Sequence, residues 1–169
     1  MEAIEPVASR VPYMTCPGNH ESRHNFSQYR ARFAMPQSQD YESLWWSIDV
    51  GPVHFVSYST EAYFDEDGKA MNATLARQYT WLESDLAMAN ANRAERPWIV
   101  LQGHRPHYCS DAISPEQGCD GEAEIARHGT PTPSGGAYFA VEPLLHRYGV
   151  DLAVFGHVHD YTRYWPTQV

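Results

Sequence analysis

Three times the chain runs from an apolar stretch through a glycine into a histidine. Val11-Pro12-Tyr13-Met14-Thr15 leads to Gly18-Asn19-His20-Glu21, and Trp98-Ile99-Val100-Leu101 leads to Gly103-His104-Arg105-Pro106. Val150-Asp151-Leu152-Ala153-Val154-Phe155 leads to Gly156-His157-Val158-His159. The residue types suit metal binding, because imidazole nitrogens and an amide oxygen are ordinary ligands of transition metals. In His157-Val158-His159 the two rings share one face if extended geometry continues. The glycine before them lets the chain turn as the strand ends. Such a loop can offer each ring to a different ion of a pair about 3.5–4 Å apart. Polar ligands at the carboxyl ends of buried strands are where α/β folds build their sites.

The order GNHE, then the histidine after Trp98–Leu101, then GHVH resembles the last three of five metal-binding motifs in purple acid phosphatases. These belong to the calcineurin-like metallophosphoesterases. The flanks Met14-Thr15-Cys16-Pro17, Arg96-Pro97-Trp98-Ile99 and Tyr108-Cys109-Ser110 look like an animal branch of that family. The resemblance implies an α/β fold: a β-sandwich of two sheets flanked by helices (αββα), incomplete in this chain. Residues 1–169 would form the central to C-terminal part of one truncated domain.

It also implies roles. Asn19, His104 and His157 would bind a divalent ion (Zn, Fe or Mn), and His159 would bind Fe(3+). His20 would donate to the phosphate or the leaving group, and Glu21 would orient a site histidine. Arg105 is open between facing phosphate, balancing acidic loops and packing beside Pro106. His107 and His128 are candidates for the general acid. The implied reaction is phosphomonoester hydrolysis on a dinuclear centre at acidic pH, with a small phosphate ester as substrate. The alternatives are a phosphodiesterase or a non-catalytic truncated product. The family's first two motifs, GDxG and GDxxY, are absent. They supply an Asp and a Tyr to the ferric ion and the bridging Asp, and Asp49, Asp120 and Asp160 do not match their positions. The chain is therefore expected to be part of a longer protein.

Elements must hold these loops in place. Residues 11–15, 44–49, 53–59, 96–102 and 150–155 read as strands, the second and third joined across Val50-Gly51-Pro52 as a hairpin. His54 falls inside a strand and reads as structural. Phe26, Tyr29, Arg30 and Phe33 recur at helical spacing and stop before Pro36. Leu75, Tyr79, Leu82, Leu86 and Ala89 predict a long helix over about residues 71–92. A shorter helix over 141–148 ends at Gly149. Residues 60–70 read as an acidic loop and 108–137 as a long loop, of the kind that is usually functional or mobile.

With 43% hydrophobic residues the chain can build a core, and 169 residues suffice for one domain. A formal charge of −9 argues against nucleic acid and anionic membrane surfaces as partners. No apolar run is long enough to span a bilayer, and Met1-Glu2-Ala3-Ile4-Glu5 is not a signal peptide. Cys109 and Cys119 bracket a flexible stretch and are expected to pair, leaving Cys16 as a buried thiol. Asn25-Phe26-Ser27 and Asn72-Ala73-Thr74 are N-glycosylation sequons. Together with a disulfide they point to a secreted or lysosomal protein.

Overall fold

The computed structural model describes residues 3–64, 71–109, 119–131 and 137–165. In chain order its elements are α1 (Glu5–Ala8), α2 (Arg23–Arg32), α3 (Ser38–Tyr41), β1 (Trp46–Val50), β2 (Val53–Ser57), α4 (Met71–Ala91), β3 (Trp98–Gln102), α5 (Cys119–His128), β4 (Thr130–Pro131), β5 (Ala137–Tyr138), α6 (Glu142–Arg147) and β6 (Leu152–Val154). Short 3-10 turns occupy Asn19–Glu21 and Thr60–Tyr63.

One four-stranded sheet runs in the order β1-β2-β3-β6. β1 and β2 are antiparallel, joined across Gly51, whose φ of 55° is the left-handed conformation the tight turn needs. β2, β3 and β6 run parallel, with Val53 opposite Trp98 and Val100 opposite Leu152. The helical spacing foreseen in α4 puts Leu82, Leu86 and Ala89 against Val56, Ile99 and Leu101 of the sheet, and Val141 and Leu144 close the same core. A second cluster gathers Phe26, Tyr29, Leu44 and Trp45, with Trp81 of α4 packed against it.

The opposite face of the sheet is apolar and open. Val50, Trp98, Leu152 and Val154 are each 50% to 54% exposed. The pairing register places these residues on one face, because alternate residues of paired strands point the same way. No helix among the described residues is long and apolar enough to cross a membrane.

Two expectations are corrected. Residues 11–15 form no strand; they have no ladder partner among the described residues. Side chains hold this segment instead. The Trp46 indole donates to the Thr15 carbonyl at 2.8 Å, and the Thr15 hydroxyl lies 2.9 Å from that of Tyr29. The stretch 108–137, read as loop, contains α5 and the β4–β5 ribbon. The acidic run 65–70 lies outside the described residues.

His54 ties three elements together. Its ring donates from Nδ1 to Asp49 of β1 at 2.8 Å and from Nε2 to Asp85 of α4 at 2.9 Å. Ser47 donates to the second oxygen of Asp85 at 2.7 Å, and Arg96 stands 3.0 Å from Asp49. Burial alone would lower the imidazole pKa, but the hydrogen bonds to Asp85 and Asp49 outweigh it and hold the value above normal. The unfolded imidazole titrates near ~6.5. A raised folded pKa gives stabilisation that is complete below the unfolded pKa and fades as pH rises through the folded one. Urea midpoints should therefore fall with rising pH through this window, and His54→Gln should flatten that slope. An unchanged slope in the variant would reject the clamp.

Candidate metal centre

Three loops at the carboxyl ends of the strands and of the 11–17 segment build one cluster. Gly18 is extended, and the chain then tightens into the turn Asn19–Glu21. The Glu21 carboxylate closes that turn by accepting the Gly18 N–H at 3.0 Å. A Cβ on Gly18 would lie 2.9 Å from the ring of His104, so glycine is what admits the imidazole here. β3 delivers His104 through Gly103, whose Cβ would meet Thr60 and Tyr58 at 3.0 Å. β6 delivers His157 through Gly156, whose N–H donates to the His104 carbonyl at 2.9 Å. His157 itself adopts a φ of 67°, a conformation that non-glycine residues take at a cost.

The result is convergence. Asn19 Oδ1 lies 2.8 Å from His104 Nε2, and His157 Nδ1 lies 3.1 Å from the same nitrogen. The two rings meet edge to face with centroids 5.0 Å apart. Two imidazole nitrogens and an amide oxygen, drawn from three separate loops, thus crowd one point. This donor chemistry fits a divalent transition ion. No group of three or more His, Cys, Asp or Glu side chains able to hold a metal occurs among the described residues.

His20 lies next to Asn19 in the chain, and His159 lies two residues after His157. Both are exposed, and neither hydrogen-bonds to the trio. His159 would give a second ion a single ligand from this cluster.

The expectation that His107 is a general acid is corrected. Its side chain is buried, stacked on Phe155 with centroids 4.7 Å apart and 2.5 Å from the Tyr58 hydroxyl. Burial pushes its pKa down to about 3, so the ring is neutral over the range in which it would have to give up a proton. His128 is exposed and paired with Glu124 at 2.7 Å and Glu142 at 3.3 Å. Glu21, expected to orient a histidine, instead holds the backbone of the turn that carries Asn19. Arg105 is buried, bonded to Glu61 through two nitrogens at 2.8 and 3.1 Å and lying 4.2 Å over the Phe64 ring.

Sequence reading missed Glu61 and Thr60. The only signal was an acid directly after a strand, and its burial is invisible until the fold is known. Cys16 is free; burial, then the charges of Glu21 and Glu61, push its thiol up to about 11, which keeps it protonated and a poor nucleophile. Cys109 is disulfide-bonded. The side chains of Cys119 and Asn72 lie outside the described ones, while Asn25 is exposed. A cavity of about 330 Å³ lies beside the His54 clamp and shares no residue with the trio.

The fold and this donor cluster define an α/β domain that gathers imidazole and amide donors at the carboxyl edge of its sheet. The family model of the calcineurin-like phosphoesterases matches residues 1–161, and the chain belongs to that family. It is 50% identical over 169 residues to acid phosphatase type 7 of Homo sapiens, covering 98% of this chain and 36% of the relative. The Mus musculus protein of the same name gives the same identity and coverage. A solved purple acid phosphatase isolated from yellow lupin (Lupinus luteus) seeds superposes with a TM-score of 0.64 at 28% identity, covering 94% of this chain and 26% of that one. The chain thus spans about a third of the length of the curated relatives it matches (36%).

A neutral buried His107 has a consequence for acid stability. The unfolded imidazole takes its proton near ~6.5, whereas the folded one resists protonation down to about 3. Its contribution is therefore present above the unfolded pKa and is lost as pH falls toward the folded one. Between those limits the slope approaches about 1.4 kcal/mol per pH unit for one proton. His107→Phe should remove that slope from the pH dependence of the unfolding free energy, whatever it does to the absolute value. A variant that keeps the full acid slope would show that His107 is protonated in the folded chain.

Proposed function

We propose that this chain is the metal-ligating part of an acid phosphatase that hydrolyses phosphate monoesters. The observation that carries the proposal is the convergence of Asn19 Oδ1 and His157 Nδ1 on His104 Nε2, at 2.8 and 3.1 Å from it. These three would hold a divalent ion (Zn, Fe or Mn), and His159 would reach a ferric ion beside it. When bound, such a pair supplies positive charge for the phosphate and lowers the pKa of a water molecule.

The rest falls to the chain's own residues. Asn19 and the two imidazoles bring no negative charge, so they leave the ions' charge available to an anionic ester. His20 is exposed on the turn next to Asn19, where it can hydrogen-bond the phosphate or the leaving oxygen. With His107 buried and neutral, His20 takes the general-acid role in this reading. Glu21 fixes the turn that presents both residues. The family's tyrosinate and bridging Asp come from GDxG and GDxxY, which this sequence lacks. Residues 1–169 are accordingly read as the central to C-terminal part of the metallophosphoesterase domain.

Metal content tests the ligand assignment. Purified chain should carry a divalent ion by mass spectrometry with little iron, and His157→Ala should lose that ion. His54→Gln should keep it, because His54 belongs to a separate cluster. Equal loss in both variants would refute the assignment. For the reaction, protein extended to the length of the relatives should hydrolyse an aryl phosphate monoester faster than a diester at acidic pH, and faster hydrolysis of the diester would move the reading to a phosphodiesterase.

The secretory reading rests on the disulfide at Cys109 and the exposed Asn25 sequon. Peptide mapping without reductant, on material from an oxidising compartment, should find Cys109 linked to Cys119. Free thiols at both positions would reject it.

A further inference from the structure

Glu61 is a buried carboxylate, its side chain 3% exposed, in the turn directly after β2. It belongs to a brace that starts in the core and ends at the metal trio. Gln78 of α4 grips Ser59 from both sides: its amide oxygen accepts the Ser59 N–H at 2.8 Å, and its amide nitrogen donates to the Ser59 carbonyl at 3.0 Å. This seats Thr60 and Glu61. Thr60 Oγ1 then accepts the backbone N–H of Arg105 at 2.9 Å. Glu61 takes the Arg105 side chain through two parallel hydrogen bonds of 2.8 and 3.1 Å.

The peptide group that joins His104 to Arg105 is therefore held on both sides. Its N–H is taken by Thr60 and its carbonyl by the Gly156 N–H at 2.9 Å. That second contact leads straight to His157. We propose that Glu61 is a positioning residue for the metal ligand His104, acting through Arg105. The proposal rests on reading Asn19, His104 and His157 as metal ligands.

The physical reason is the cost of breaking the pair. A buried guanidinium that loses a bidentate carboxylate loses two charge-assisted hydrogen bonds, and it shifts to replace them. Arg105 follows His104 in the chain, so that movement pulls on the backbone that aims the imidazole. Metal affinity depends steeply on such outer contacts, and losing one typically weakens binding about 10–100-fold.

Zn2+ titration calorimetry on the purified chain tests this, with melting curves recorded beside it. Glu61→Gln should weaken Zn2+ binding about 10–100-fold. Leu86→Ala opens a cavity in the core under α4; it should lower the melting temperature and leave Zn2+ affinity within about twofold of the parent. If Glu61→Gln does not fold, Arg105→Lys serves in its place: it keeps the charge but loses the two-pronged contact, and should also weaken binding. Parent-like affinity in the Glu61→Gln or Arg105→Lys protein overturns the proposal. So does an equal loss of affinity in Leu86→Ala, since instability alone would then account for the effect. His157→Ala separates the two layers. If it binds Zn2+ like the parent, the ligand reading itself has failed and the proposal falls with it.

Discussion

Parallel pairing of β2, β3 and β6 is the constraint on which the rest of this structure depends. Strands that run the same way end on the same edge of a sheet. Here that edge receives the Thr60–Tyr63 turn after β2, His104 after β3 and His157 after β6. Each arrives through a short irregular segment, and backbone hydrogen bonds continue past the strand ends. Tyr58 donates to Gln102, Gly103 to Val154 and Gly156 to His104. The ladder thus extends beyond regular geometry into the loops that carry the donors. Asn19 is the exception. It comes from a segment outside the sheet and reaches the cluster through the tethers of Thr15 to Trp46 and Tyr29.

Two histidines show how strongly surroundings decide the behaviour of one residue type. His54 lies between two carboxylates and is held above its ordinary pKa. His107 meets a phenol and a phenyl ring instead, and burial drives it down to about 3. Their effects on stability run in opposite directions with pH. The stabilisation by His54 is already complete below the unfolded pKa, which is where that by His107 is lost as pH falls. The remaining acidic surface is consistent with this division. The formal charge of −9 lies over the whole chain, while the donor trio is made of an amide and two imidazoles.

The three residues that converge, Asn19, His104 and His157, stood out in the sequence because their spacing depends on local rules. Glycine at 18 and at 103 is required by close contact, as the ring of His104 against Gly18 makes plain, and such requirements leave marks in sequence; at Gly156 a Cβ would meet nothing nearer than 3.8 Å. The hairpin at Gly51 and the periodicity of α4 are local in the same sense, and both were read correctly. What could not be read depends on partners far away in the chain. The residues at 11–15 have strand composition, but a strand needs a neighbour, and none pairs with them among the described residues. His107 sits three residues from His104 and looked equally available; its burial is decided by Tyr58 and Phe155, 49 positions away in the first case. Glu61 was silent because a carboxylate in a turn ordinarily faces water. Only the buried guanidinium 44 positions later gives it a task.

The open face of the sheet follows from the same composition. Parallel strands buried on both faces carry continuous apolar runs, whereas strands with one wet face alternate. Trp98-Ile99-Val100-Leu101 and Leu152-Ala153-Val154-Phe155 do not alternate. Ile99 and Leu101 are spent on the core against α4, fully buried, while Trp98 on the other face is 53% exposed. These strands are therefore written for cover on two sides, and α4 with α6 supplies it on one. In the two-sheet sandwich that the family resemblance implies, the second sheet occupies the other side. The apolar face that Val50, Trp98, Leu152 and Val154 leave open is thus a consequence of one requirement, that both faces of a parallel sheet be packed.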